Sequence, residues 1–428
     1  MNKEENIQPL ALPEETYEGD YIIASYFFRS TKDADIYEKA KSFAIGQTLG
    51  TWLPVPGITN EMRKKYGGRI TAIYDIPPAE LTGDVPEETA HIIQIAFPDE
   101  NFGAQFPMLF TTLLGNDVST SAQVKLIDLK FSKKFLSHFK GPRYGIDRLY
   151  KYFGIQKRPI VLNMIKPCLG YTPGEGAMIF KEIASGGIDL IKDDELFADT
   201  SYGPLVERVK SYTKAAREVE KETGHLARYC VNITDRQDKM IEHAHRAVDA
   251  GAGALLVNFV ATGLGALQAL AEDPAITVPL VAHYASVGAM SESPYTGIST
   301  PLMLGKLARI AGADVCMFSS PYSTYPFLKR RYFQIADAQR LPLYDVLPTM
   351  PLIGGGITPN SARRITVDLG SEIMLAVGGA ILGHPMGPAH GAKAIMQTVK
   401  ALADGTDIDE LAKQKGNEAL RIALDKWK

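Results

Sequence analysis

The chain has 428 residues, 46 Lys and Arg against 49 Asp and Glu, a net charge of −3, and 45% hydrophobic and 22% charged residues. These proportions belong to a folded protein and exclude a disordered or collagen-like chain. The near-neutral balance offers no basic field for nucleic acid, and no apolar run reaches the ~20 residues of a membrane span.

Up to about residue 140 the elements mix without regular alternation, an α+β pattern. Tyr21–Phe27 predicts a strand. Asp35–Gln47 predicts a helix with Ile36, Ala40, Phe43 and Ala44 near one face. Arg69–Tyr74, His91–Phe97 and Val124–Leu129 predict strands, and Phe106–Leu114 an apolar helix or buried segment. Gly141–Gly145 (Gly-Pro-Arg-Tyr-Gly) reads as a linker, so domains are expected at 1–140 and 141–428.

Beyond it, eight short apolar strands recur: Ile160–Ile165, Ile188–Lys192, Tyr229–Ile233, Ala254–Val257, Leu280–His283, Val315–Phe318, Leu352–Ile353 and Met374–Val377. They read as strands buried on both faces. Helices are expected at Gly174–Ser185, Tyr202–Thr223, Asp235–Ala250, Gly263–Leu270, Thr300–Ala311 and Ser361–Leu369. Eight βα units in some 270 residues fit a TIM (β/α)8 barrel. The rival, a doubly wound sheet, needs a GxGxxG turn after its first strand, and Lys166–Gly170 is not one.

In a barrel the chemistry sits at the C-terminal strand ends. The second strand runs into Lys192-Asp193-Asp194-Glu195. Alternation points Lys192 and Asp194 the same way. Two carboxylates suit Mg²⁺, a hard cation. The lysine beside them fits if it pairs with a carboxylate, or if CO₂ converts its amine to an anionic carbamate. A solvated charge cluster is the plain alternative. Gly354-Gly355-Gly356 and Gly378-Gly379 follow the seventh and eighth strands, the usual phosphate position in barrels; tight turns are the alternative. Lys166 ends the first strand, where desolvation can lower a lysine's pKa for acid–base work. His283 ends the fifth and suits a base or a hydrogen-bond donor. His243 and His245 diverge by roughly 200° on a helix and make no two-point metal site. Cys168, Cys230 and Cys316 are too scattered for disulfides or a zinc site, and Cys168 lacks an evident activating partner. Met1–Glu5 lacks the apolar stretch of a signal peptide, so a cytoplasmic enzyme is expected.

Read together, Gly50–Trp52, Leu114–Asn116, Gly141–Ile146, Ile165–Gly170, Gly186–Glu195 and Gly378–Pro385 resemble, in order, segments of the ribulose-bisphosphate carboxylase (RuBisCO) large chain. The resemblance covers nearly the whole chain. It implies a ferredoxin-like α+β N-terminal domain, a TIM barrel, and a homodimer or an oligomer of dimers in which one copy's N-terminal domain caps the other's barrel. It also implies Mg²⁺ on carbamylated Lys192, Asp194 and Glu195, Lys166 as an acid–base residue, and Asn116 as a contact from the other subunit.

Departures narrow the activity. The carboxylases' lysine two positions after Lys166 is Cys168 here, and their first-domain glutamate falls on Gly46. His283–Gly288 lacks their phosphate-holding arginine and second histidine. Their sixth-strand histidine falls near Met317, their seventh-strand serine on Gly354, and their mobile-loop lysine has no counterpart in Ser319–Tyr325. The resemblance therefore implies a RuBisCO-like protein that does not fix CO₂ and acts on a monophosphorylated keto sugar or sugar acid. Three activities are open: methionine-salvage 2,3-diketo-5-methylthiopentyl-1-phosphate enolase, methylthioribulose-phosphate isomerase, and 3-oxo-isoapionate 4-phosphate decarboxylase. The enolase subgroup has a lysine base where this chain has Asn116. A non-catalytic binding relative is the reading from another class, and retention of Lys166, Lys192, Asp194 and Glu195 argues against it.

Overall fold

A computed structural model describes residues 9–51, 55–120, 123–156 and 158–427. Met1–Glu5 and Trp52, both used in the sequence reading, lie outside the described residues. In chain order the strands are β1 (Tyr21–Thr31), β2 (Arg69–Ile76), β3 (Glu88–Pro98), β4 (Val124–Lys130), β5 (Ile160–Met164), β6 (Leu190–Lys192), β7 (Arg228–Asn232), β8 (Ala254–Val257), β9 (Leu280–Ala282), β10 (Gly297–Ile298), β11 (Val315–Ser319), β12 (Met350–Gly354) and β13 (Met374–Ala376). No described helix is long and apolar enough to cross a membrane. Contacts divide the chain into two compact units, one of residues up to Phe139 with Ser286–Met303, the other of Lys140–Ala285 with Leu304 onward.

The first unit is a five-stranded sheet in the order β10-β4-β1-β3-β2. β1 pairs antiparallel with both β3 and β4. The helix Ile36–Gly46 buries Ala40, Phe43 and Ala44, the face the sequence predicts, and Asp35 caps it by accepting from the amides of Tyr37 and Glu38. The Phe43 ring meets Tyr26 and Phe28 of β1 at 6.3 and 6.2 Å. β10 was not anticipated. It is a two-residue parallel bridge to β4, too short to leave a period-2 signature, and it draws a segment that follows β9 into this sheet.

The second unit holds a closed barrel, β5-β6-β7-β8-β9-β11-β12-β13, with β13 returning to pair with β5. All eight expected strands are there, and the open-sheet rival is excluded. Two helical readings change. Thr300–Ala311 opens as a π-helix, Pro301–Leu307, and the helix Lys329–Arg340 went unread because four basic residues mask its buried stripe of Tyr332, Ile335, Ala336 and Gln339.

Inside the barrel one residue in two points inward: Ile160 and Leu162, Leu190, Cys230, Ala254 and Leu256, Val281, Val315 and Met317, Met350 and Leu352, Met374 and Ala376. Continued by two, the same alternation carries Lys166, Lys192, Asn232, Asn258, His283, Ser319, Gly354 and Gly378 to the mouth. The core thus dictates which side chains reach the mouth.

Asp314, just before β11, is buried and accepts from the amides of Tyr144 and Leu280 at 2.8 and 2.9 Å. Burial pushes its carboxyl from 3.8 up to about 6 against those bonds. A raised carboxylate value means the native state holds the proton more tightly than the unfolded one. The resulting stability is fully present below the unfolded value and is lost as pH rises through about 6. The stability of wild type relative to Asp314→Asn should fall between pH 4 and 6, roughly the span of the two values, and stay flat above. Thermal unfolding across that window measures it; parallel curves would show that Asp314 does not titrate there.

Candidate active site

β6 delivers Lys192 to the mouth with its side chain fully buried. Its ammonium donates to the Asp193 carbonyl at 2.9 Å and to Glu195 Oε2 at 3.2 Å. Asp194 is buried and takes the Lys166 ammonium on Oδ2 at 2.5 Å. Glu195 Oε2 also lies 3.5 Å from His283 Nε2. Asn232 and Asn258, from the ends of β7 and β8, donate side-chain amides to the Glu195 carbonyl at 3.0 and 2.9 Å and fix its backbone.

Asp193 turns the other way, into the barrel wall. Its carboxylate accepts from Arg208 at 3.2 Å, Tyr229 Oη at 2.6 Å and the Asn232 amide at 3.0 Å. Arg208 also donates to the carbonyls of Ala198 and Gly203 and lies 4.1 Å above the Phe197 ring. Arg208 lies in the buried stripe of the helix Leu205–Thr223, with Leu205, Val209, Tyr212, Ala216 and Val219, so its one mark in the sequence is a charge at an otherwise apolar position, and sequence reasoning missed it.

Charges settle the protonation states. Burial and then Lys192 oppose a charge on His283 and lower its pKa to about 4, so the ring is neutral at pH 7. The Ala285 amide donates to Nδ1 at 3.2 Å, which assigns the proton to Nε2, facing Glu195. Burial pushes Glu195 up, but Lys192 and His283 overcome it and hold the carboxyl at about 2. For Lys166 burial opposes the charge, and hydrogen bonds to Asp194 and Cys168 more than reverse it. Its pKa therefore rises, where the sequence reading allowed a fall. Cys168 likewise has a partner: Lys166 donates to its Sγ at 3.0 Å.

On the neighbouring arc, Gly355 and Gly356 follow β12 with φ of +88° and +78°. Both lie in the left-handed region that favours glycine, and amides left exposed in such a turn suit an anion. Among the described residues, the amides of Gly355, Gly356, Gly378 and Gly379 donate to no backbone carbonyl. Gly354 lies under a methionine: a Cβ there would stand 2.0 Å from Met317 Cε.

No group of three His, Cys, Asp or Glu side chains among the described residues is set to hold a metal. Asp194 and Glu195 supply two carboxylates, and two ammonium groups now neutralise them. Lys192 lies beside them and would add a third oxygen ligand only as a carbamate. The donor set therefore fits a hard divalent cation on that condition. Lys166, Lys192, Asp194, Glu195, His283 and the five glycines all lie in the barrel unit. Asn116, by contrast, opens a short helix, Asn116–Ser119, of the first unit.

Residues 13–135 match the family described as the ribulose bisphosphate carboxylase large chain, N-terminal domain, and residues 145–320 and 337–427 match its catalytic domain. A ribulose bisphosphate carboxylase-like protein of Archaeoglobus fulgidus is 40% identical over 97% of this chain and 95% of its own. A 2,3-diketo-5-methylthiopentyl-1-phosphate enolase of Bacillus pumilus is 35% identical over 95% of this chain and 98% of its own. The crystal structure of a rubisco-like protein (MtnW) from Alicyclobacillus acidocaldarius superposes with a TM-score of 0.88 at 34% identity, covering 96% of this chain and 100% of that one.

Proposed function

We propose that this chain, which belongs to the ribulose bisphosphate carboxylase large-chain family as a RuBisCO-like, non-carboxylating enzyme, performs Mg²⁺-dependent enediolate chemistry on a monophosphorylated keto sugar or sugar acid. One observation carries the reading. Lys166, Lys192, Asp194 and Glu195 converge at the mouth, whereas Ser319–Leu328, the loop after β11, contains no lysine. The next one, Lys329, pairs with Asp368 at 3.6 Å. Enolisation has its groups; an ammonium over an added carboxylate is missing.

Lys192 as its carbamate, Asp194 and Glu195 would hold Mg²⁺, which when bound supplies a Lewis acid for the substrate carbonyl. Lys192 gains that form when its neutral amine adds CO₂ and releases one proton. Lys166, freed from Asp194, is placed to move the proton at the substrate's α-carbon. His283, neutral, offers its Nε2–H to a substrate oxygen. The amides of Gly355, Gly356, Gly378 and Gly379, next to Gly354, take the single phosphate. Asn116 acts from a second copy, so a homodimer is the working unit. We divide the chain at residue 140 into an N-terminal domain and a catalytic barrel. We place the enzyme in the cytoplasm.

Within this class the name of the Bacillus pumilus relative favours the 2,3-diketo-5-methylthiopentyl-1-phosphate enolase. Decarboxylation of a 3-oxo sugar-acid phosphate is the second reading. Asn116 favours it, because an amide is no base and losing CO₂ creates the enediolate without one.

Proton–deuterium exchange on ketose and sugar-acid monophosphates, with Mg²⁺ and bicarbonate, tests the class. Wild type should exchange the α-proton, and Lys166→Met should do so at least ~10²-fold more slowly. Unchanged exchange in the variant would remove Lys166 from the proton transfer. Ribulose bisphosphate with labelled CO₂ should yield no fixed label, and appreciable fixation would overturn the reading.

A further inference from the structure

We propose that Asn360, His384 and Lys426 are positioning residues for the phosphate site, through which the helix Glu418–Lys426 sets the spacing of the two glycine turns. This rests on the reading above that the amides of Gly355, Gly356, Gly378 and Gly379 take the phosphate. Those amides belong to residues with no side chain to hold the backbone in shape, and glycine loses the most conformational freedom on being fixed. Four amides from two separate turns bind one anion well only if their spacing is set before it arrives. A support outside the turns must set it.

Each turn runs into a helix. Gly354–Gly356 leads to the helix Pro359–Leu369, and Gly378–Gly379 opens the single turn Gly379–Leu382, too short to hold itself. Both meet the helix Glu418–Lys426. Asn360 Nδ2, four positions past Gly356, donates to the Trp427 carbonyl at 3.0 Å. The Gly383 carbonyl, four positions past Gly379, accepts from Lys426 Nζ at 2.6 Å. His384 is buried, and its Nδ1 accepts the Met386 amide at 3.1 Å, which assigns the proton to Nε2. That Nε2–H donates to the Ala419 carbonyl at 3.0 Å. The three bonds therefore run from the first turn of the helix to just past its last residue. The helix itself is seated by apolar packing: Leu420 and Leu424 pack with Ala401, Ile408 and Ala412, and Ala419 and Ala423 with Ala394. It is a fixed strut between two turns that lack rigidity of their own.

Calorimetric binding of inorganic phosphate to the full chain without Mg²⁺ tests the strut apart from turnover. With a tie removed, phosphate must order the loosened turn itself. Its affinity should fall about fivefold in each of Asn360→Ala, His384→Phe and Lys426→Met, the contribution of one hydrogen bond, and about twentyfold in Asn360→Ala combined with His384→Phe. His384→Gln keeps a donor near the Nε2 position and should restore most of the affinity. Bicarbonate-dependent Mg²⁺ binding should not change in any of them, whereas a general loosening of the barrel would weaken it as well. Thermal unfolding confirms that each is folded at the temperature used. Gly355→Ala, strained at a φ of +88°, probes the amides directly. Phosphate affinity unchanged in Gly355→Ala would overturn the phosphate reading and the strut with it. A loss in Gly355→Ala with none in the three tie variants, a parallel loss of Mg²⁺ binding, or no rescue by His384→Gln would overturn the strut alone.

Discussion

Lys192→Ala should abolish CO₂-dependent Mg²⁺ binding and lower exchange or turnover by at least ~10³-fold, about 4 kcal/mol of transition-state stabilisation. Two carboxylates remain in the variant, but they lack the third anionic oxygen. Asp194 stays neutralised by Lys166 at 2.5 Å, so a divalent cation would have to displace an ammonium for little return. Lys192→Met fills the same volume in a fully buried position and separates lost chemistry from a lost core. Calorimetric Mg²⁺ titration with and without bicarbonate, and carbon-13 NMR of labelled CO₂ on the protein, give readouts independent of turnover. Full bicarbonate-dependent metal binding in both variants would remove Lys192 from the site.

The barrel was legible because its strands are short, apolar and evenly spaced, so that eight periods counted along the chain became eight closed strands. The mouth followed from alternation: once Leu190 is inside, Lys192 is too. The network behind the proposed ligands was not legible. Asp193, Arg208 and Tyr229 are separated by 15 to 36 positions, and a charge set in the apolar stripe of the helix Leu205–Thr223 marks burial without naming its partners. Nor could sequence show that Met317 and Gly354 are one change rather than two. The methionine's methyl occupies the space the glycine vacates, which only the lateral neighbourhood of β11 and β12 reveals. Lys166 shows the same limit. Its position at the mouth was readable, but the sign of its shift depends on a carboxylate 28 positions away.

Arg208→Met should destabilise the protein by ~3–5 kcal/mol, the usual cost of removing one partner from a fully buried ion pair. Both members of this pair are 0% exposed. The loss strands Asp193 with only the Tyr229 hydroxyl and the Asn232 amide. Burial already pushes the Asp193 carboxyl up, with Arg208 the largest opposing influence. The double variant Arg208→Met with Asp193→Asn leaves no unpaired charge and should recover more than half of the loss, so a thermodynamic cycle isolates the pair from the packing of the arginine's stem. The pair also bears on function. The backbone that Asp193 anchors carries one proposed ligand on either side, and the Asp193 carbonyl itself accepts the Lys192 ammonium at 2.9 Å. A shift of about 1 Å there costs on the order of 10²-fold in rate. Mg²⁺ affinity should therefore fall in Arg208→Met at temperatures where the protein is still folded, and should return in the double variant only as far as the loop does. Denaturant unfolding and bicarbonate-dependent Mg²⁺ binding, measured on the four members of the cycle, decide the matter. A loss of stability with metal affinity unchanged would confine the pair to the barrel wall.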